Sequence, residues 1–146
     1  MDYWFTADYH LGHANIIKYC DRPFKSLDQM NEAIIRNHNA RVKAEDVVFH
    51  IGDFCFKNTP GGKKGEGSFY VSDYYERKLN GKLIQIRGNH DYNNTTKSII
   101  DGIAVRHGGL EMWLTHNPRD YERRFKLNLV GHIHQNWKTR KAGDTI

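Results

Sequence analysis

Short apolar runs in this chain end repeatedly in small clusters of Asp, Asn and His. "YWFT" leads into Asp8 and His10, and Asp53 follows the run Val47–Ile51. "KLIQI" runs into Asn89, His90 and Asp91, "LEMWLT" into His116, and "LNLV" into His132 and His134. Aromatic and β-branched runs of this length read as strands. Sites in α/β sheets assemble at the carboxyl ends of parallel strands. A chain with polar clusters after five strands is therefore expected to gather those strand ends at one place. Each cluster taken alone is ordinary turn sequence. Turn chemistry does not explain why all five occupy the same kind of position. His132 and His134 are two residues apart, so a strand would aim both rings to one side, and a loop could turn both toward one point.

Between these runs the helical signals are clear. Ser26 and Gln29 form a capping box, and Leu27, Met30, Ile34, His38 and Val42 follow at helical spacing. Residues 71–81 read as a second helix stopped by Asn80-Gly81. The Gly-rich stretch 58–68 reads as a flexible surface loop; it lacks the Gly-Lys-Ser/Thr ending of a phosphate loop. Gly108-Gly109 divides two strands into a hairpin. Strands alternate with helices first and pair as hairpins later, which predicts an α/β layered domain with parallel and antiparallel strands.

At 146 residues the chain suits a single domain, 1–146, with a real core. A hydrophobic content of 38% against 27% charged residues excludes a disordered chain, and no run reaches the roughly 18 apolar residues of a membrane span. "MDYWFTADYH" has neither the basic nor the apolar part of a signal peptide, so a cytoplasmic protein is expected. Cys20 and Cys55 lack zinc spacing and suit a reducing compartment. The net charge of +5 would help an anion approach, although the basic residues are scattered apart from "GGKKGEG" and "ERRFK".

Asp, Asn and His side chains bind borderline divalent metals. Asp8, His10, Asp53, Asn89, His116, His132 and His134 are seven N/O ligands, more than one tetrahedral zinc takes. No cysteine joins them, which argues against a structural zinc site. Two divalent metal ions are expected, with manganese placed ahead of iron, zinc, nickel and magnesium. A carboxylate can bridge two cations about 3.5–4 Å apart, the spacing of two-metal hydrolysis.

These blocks, in this order, resemble the calcineurin-like metallophosphoesterase superfamily. The family pattern is Asp-x-His, Gly-Asp, Gly-Asn-His-Asp/Glu, a lone His and Gly-His-x-His. Here it reads Asp8-Tyr9-His10, Gly52-Asp53, Gly88-Asn89-His90-Asp91, His116 and Gly131-His132-Ile133-His134. The opening "FTADYHLGHANIIKYCDRPF" also resembles small bacterial and phage phosphoesterases of that superfamily. The resemblance implies two packed mixed β-sheets flanked by helices, with a dimetal site at strand ends. It implies a first metal on Asp8, His10, Asp53 and His134, and a second on Asp53, Asn89, His116 and His132, with Asp53 bridging. His90 would sit near the leaving oxygen and off the metals, with Asp91 orienting it through a hydrogen bond. Family members usually continue with further strands, whereas only "QNWKTRKAGDTI" follows here, so some C-terminal strands of that fold are expected to be missing.

The implied reaction is hydrolysis of phosphomono- or phosphodiesters by metal-activated water, with His90 as general acid. His13, Asn15, Arg22 and Arg87 are candidates for holding the substrate, against solvated loop positions or, for Arg87, a surface ion pair. The rivals are a nuclease or cyclic-nucleotide phosphodiesterase using the same site, which as a nuclease should show a basic, aromatic-rich groove, and a non-catalytic metal-binding scaffold. The partner in the enzymatic readings is a phosphoester, either a small molecule or a nucleic acid. Nothing in the chain sets an oligomeric state.

Overall fold

The computed structural model describes residues 1–57, 67–93, 96–136 and 138–141. Its first half alternates strand and helix: β1 (Tyr3–Thr6), α1 (Ile16–Tyr19), α2 (Leu27–Asn39), β2 (Val47–Ile51), α3 (Ser72–Glu76) and β3 (Lys82–Ile86). Its second half is β4 (Gly102–His107), β5 (Leu110–Thr115) and β6 (Leu127–Val130), with short 3-10 turns at Asp91–Asn93 and Pro118–Asp120. β1, β2 and β3 form a parallel sheet in that order. β4 pairs antiparallel with β5, which pairs parallel with β6. The mixed character expected of both sheets thus resides in the second, while the first is parallel throughout.

The two-residue period of the strands decides which side chains go where. On β2, Phe49 and Ile51 point at the second sheet. There they join Ile86 of β3 and Met112 and Leu114 of β5 in one buried cluster, against which Phe5, Ile103, Val105, Leu127 and Leu129 pack. On the opposite face Leu83 of β3 packs with Leu11, Phe54, Cys55, Tyr75 and Leu79, under Ile34 and Ile35 of α2. The parallel sheet is therefore covered on both faces, as such sheets require. Each buried Leu, Ile or Phe contributes about 1.5–3 kcal/mol.

α2 begins as its sequence indicates. Ser26 Oγ accepts the Gln29 N–H at 3.2 Å, while the Gln29 side chain reaches one residue further back and accepts the Lys25 N–H at 2.7 Å. The predicted helix over 71–81 is shorter than its pattern. After Glu76 the chain tightens into three-residue hydrogen bonds, Lys78 N–H to Tyr75 O and Leu79 N–H to Glu76 O. Asn80 then ties the turn to the end of α2, donating from its backbone to Asn39 Oδ1 and from its side chain to Val42 O. Gly81, at φ +86°, completes the stop. The Gly-rich loop expected at 58–68 lies outside the described residues except at its end, where Ser68 bridges to Lys57. Among the described residues no helix is long and apolar enough to cross a membrane.

Parallel pairing sends β1, β2 and β3 out at one edge, and β5 and β6 likewise leave together. The two sets of ends are joined there: His116 Nδ1 lies 2.9 Å from Ile51 O, and the Gly131 N–H donates to His116 O.

Candidate metal centre

The loops leaving the strands are bent unusually. Asp8, His10, Asp53, His132 and His134 all have left-handed backbones, with φ between +48° and +71°. Few non-glycine residues adopt this region, though Asp and His are enriched in it, and each costs about 1–2 kcal/mol. Long-range hydrogen bonds hold them there. Asp8 N–H donates to Gly52 O, and His10 N–H to Asp53 O. The His132 N–H points at both carboxylate oxygens of Asp8, 3.0 Å away. Close approach also demands glycine. A Cβ on Gly88 would lie 2.3 Å from Asp53 N and Oδ1, and one on Gly52 would lie 2.3 Å from His116 Nδ1.

The result is a convergence of donors. Asp8, His10 and His134 present ligand atoms within 4.8 Å of one another, and so do Asp53, His116 and His132. Asn89 Oδ1 lies 2.9 Å from His132 Nδ1 and 3.1 Å from His116 Nε2, which puts it in the second group. Asp53 Oδ2 stands between the groups, 3.5 Å from His10 Nε2 and 3.3 Å from His116 Nε2. All seven residues expected as ligands are thereby brought together. His90 also reaches this place: it groups with His10 and Asp53, and its backbone N–H donates to Asp53 Oδ1.

Burial leaves the imidazoles of the first group in the form that ligates. Burial pushes His10 down to about 2 and His13 down to about 4, and it also lowers His134. These imidazoles are neutral at pH 7, the form that binds metal. Burial raises Asp53, but the hydrogen bond and charge of His116, the His90 N–H and His10 outweigh it, holding the carboxyl below the usual range. For His116, burial works downward and Asp53 upward, and Asp53 prevails. Burial raises Asp8 against the His132 N–H and neighbouring histidines.

His10 Nε2 supplies a direct test of whether a cation fits. It is buried, has no hydrogen-bond partner, and lies between Asp53 Oδ2 at 3.5 Å and Asp8 Oδ1 at 4.0 Å. A buried polar atom without a partner is costly, and so is a buried carboxylate, here Asp53, with half-buried Asp8 facing the same nitrogen. A cation there would satisfy all three groups, so the residues fit a divalent metal. Clusters of His and Asp able to hold metal ions are thus present.

Other candidates take up different places. Asp91, the residue expected to orient His90, accepts bonds mostly from loop backbone, with Thr96 Oγ1 also donating to it at 3.5 Å. Its oxygens accept from the N–H groups of Asp53, Phe54 and Gly88 at 2.7–3.0 Å, pinning the second loop to the third. Arg22, a candidate for holding substrate, donates its guanidinium to Asp8 O at 2.7 Å and Tyr9 O at 2.9 Å, fixing the left-handed first loop. Arg87 pairs with Asp101 at 2.7 Å and stacks over Tyr92. Asn15 caps the short α1 with its backbone. His13 is buried at 4% exposure against His10. Sequence reasoning missed Phe56, whose ring stacks on His13 with centroids 4.4 Å apart; no motif marks it. Cys55 is buried, its thiol pushed up to about 12 by burial, which excludes it as a nucleophile at neutral pH.

No family model matches the chain. An uncharacterised protein of Methanocaldococcus jannaschii is 34% identical over 130 residues, covering 89% of this chain. The chain spans 65% of that relative's own length. A protein of unknown function from Aquifex aeolicus has a similar structure, with TM-score 0.69, 24% identity and coverage of 99% of this chain and 84% of that one, which shows a shared fold. A predicted phosphoesterase from Streptococcus pneumoniae aligns with TM-score 0.42 and 19% identity, over 90% of this chain and 62% of that one.

Proposed function

We propose that the protein is a metal-dependent phosphoesterase of the calcineurin-like superfamily. The observation that carries this reading is the meeting of six N/O ligands around a seventh, Asp53, with the His90 ring 5.2 Å from that of His10. Asp8, His10, Asp53 and His134 would hold one divalent cation, and Asp53, Asn89, His116 and His132 a second. Such cations supply Lewis acidity toward phosphoryl oxygens and bring the pKa of water down to about 7.

The chain's own residues do the rest. Asp53 presents one carboxylate oxygen to both groups of ligands. Asp91 keeps the Asp53 and Gly88 loops in register, so that His90 and Asp53 hold a fixed relation. His90 is half-buried, beside the ligands and open enough to meet substrate. It is assigned as the general acid that protonates the leaving oxygen, a role contributing roughly 10²–10⁴-fold.

A panel of nitrophenyl and alkyl phosphoesters, assayed with added Mn, tests this. His90→Ala should lose most of that range on an alkyl ester, whose alkoxide needs a proton. It should lose much less on a nitrophenyl ester, whose phenolate leaves unaided. Equal losses would make His90 a phosphate-positioning group, and loss of metal would make it a ligand. No hydrolysis of any ester by protein loaded with two metals would favour the scaffold reading.

One observation favours a nucleic acid as the diester. Arg119, Lys138, Arg140 and Lys141 line a cleft of about 710 Å³ that Asp8 and His134 also line, together with Tyr121. Cations and an aromatic ring beside a hydrolytic site suit a polyanionic strand. Lys138 to Lys141 of "NWKTRK" therefore contribute to such a cleft, whereas Arg124 of "ERRFK" lies over Phe125. Single-stranded DNA and RNA belong in the panel.

A further inference from the structure

His13 is buried beside the candidate metal centre without belonging to either group of ligands. Its Nδ1 lies 3.3 Å from Nδ1 of His10. Two neutral imidazole nitrogens in such contact share one hydrogen, carried by one ring and accepted by the other. If His10 kept its hydrogen on Nε2, that N–H would be the buried atom without a partner, and no lone pair would be left for a cation. If the hydrogen sits on Nδ1, it is donated to His13, and the Nε2 lone pair faces Asp53 and Asp8. We propose that His13 is a positioning residue: it accepts the His10 Nδ1–H and so fixes His10 as an Nε2 metal ligand.

The local fold is built to hold this pair. The His13 N–H donates to His10 O at 3.1 Å, closing a tight turn. Gly12 permits the turn at φ +82°, where a Cβ would lie 2.7 Å from Phe56 O and from Tyr75 Oη. Phe56 stacks on the His13 ring at an interplanar angle of 15°, fixing its plane. Metal-bound histidines usually donate their second N–H to a carboxylate, carbonyl or water, and losing that partner typically costs 10–100-fold in metal affinity. Here an imidazole takes the acceptor's place. This also removes His13 Nδ1 from the substrate-binding role that its loop position suggested.

The inference rests on the metal-dependent reading, and its test separates the two. Nitrogen-15 NMR of the histidine side chains in metal-free wild-type protein at neutral pH should find His10 protonated on Nδ1. A His10 protonated on Nε2 would overturn the proposal without any variant. His13→Phe keeps a ring against Phe56 but offers no acceptor, so one of two Mn binding steps should weaken by about 10–100-fold. His13→Asn returns an oxygen near the Nδ1 position and should recover most of that loss. Unchanged affinity in a folded His13→Phe protein would overturn the proposal and leave the phosphoesterase reading standing. Wild-type protein that binds no metal would end both.

Discussion

Asp46 precedes β2 and Asp53 follows it; each is 1% exposed, and their surroundings differ in kind. Asp46 accepts the Asp2 N–H at 2.8 Å, the Lys43 N–H at 2.9 Å and the Trp4 indole N–H at 3.1 Å. The Lys43 and Asp2 donors, with Trp4, hold its carboxyl down to about 2 against burial. Its backbone joins the sheet as well, accepting the Lys82 N–H. At the other end, Asp53 is itself left-handed and crowded by histidines, next to a buried nitrogen with no partner. One end of the strand is satisfied from within the chain. The other has partners in His116 and the His90 N–H but leaves His10 Nε2 without one, as a metal site would. Strain and unmet polar groups of that sort collect where proteins bind or catalyse.

Substitution at the two ends should therefore differ in what it does to metal binding. Asp53→Asn should lower kcat/KM by about 10³-fold or more, the worth of several kcal/mol in a transition state, and should weaken both metals. The metal-free variant should still fold, with its midpoint lowered at pH 7, because this carboxyl too is held below the usual range by His116, the His90 N–H and His10. A variant that retained two tight metals and near-normal rate would show that Asp53 is no bridge, and one that unfolded would erase the contrast between the ends. Asp46→Asn should also lower the midpoint at pH 7, with an unchanged slope, but should leave metal binding intact. The pH dependence has a definite sign. A carboxyl held low in the folded state stabilises above its unfolded pKa, about 4, and that contribution fades as pH falls toward about 2. The gap between wild type and Asp46→Asn should close over that window, measured by urea unfolding.

This contrast was half legible in the sequence. Val47–Ile51 and Leu127–Val130 stand out as strands because their composition and bounding turns are local properties. The ligands were legible because each follows such a strand. The left-handed turns were not, since they are held by bonds between distant segments, such as His132 N–H to Asp8. The backbone bonds of Asp91 and Arg22 were not legible for the same reason: a motif tells which residues recur, but not that their side chains reach another loop's backbone. Residues 77–79 show the converse, where a helical pattern gave way because Asn80 bonds to the end of α2.

Smaller effects sharpen the comparison. Arg22→Ala removes two hydrogen bonds from the Asp8 loop and should weaken one metal about tenfold, with little change in substrate KM once metal is saturating. A raised KM with normal metal affinity would restore the role of phosphate contact. Arg87→Ala removes a solvent-facing ion pair and should leave the denaturant midpoint, metal content and KM unchanged. A clear rise in KM would place Arg87 on the substrate after all.

Manganese titration of wild-type protein, followed by calorimetry and elemental analysis, bears most directly on the central claim. Asp8, His10 and His134 on one side of Asp53 and Asn89, His116 and His132 on the other predict two equivalents bound at saturation, displaced by a chelator. Saturation at one equivalent or fewer would contradict the account.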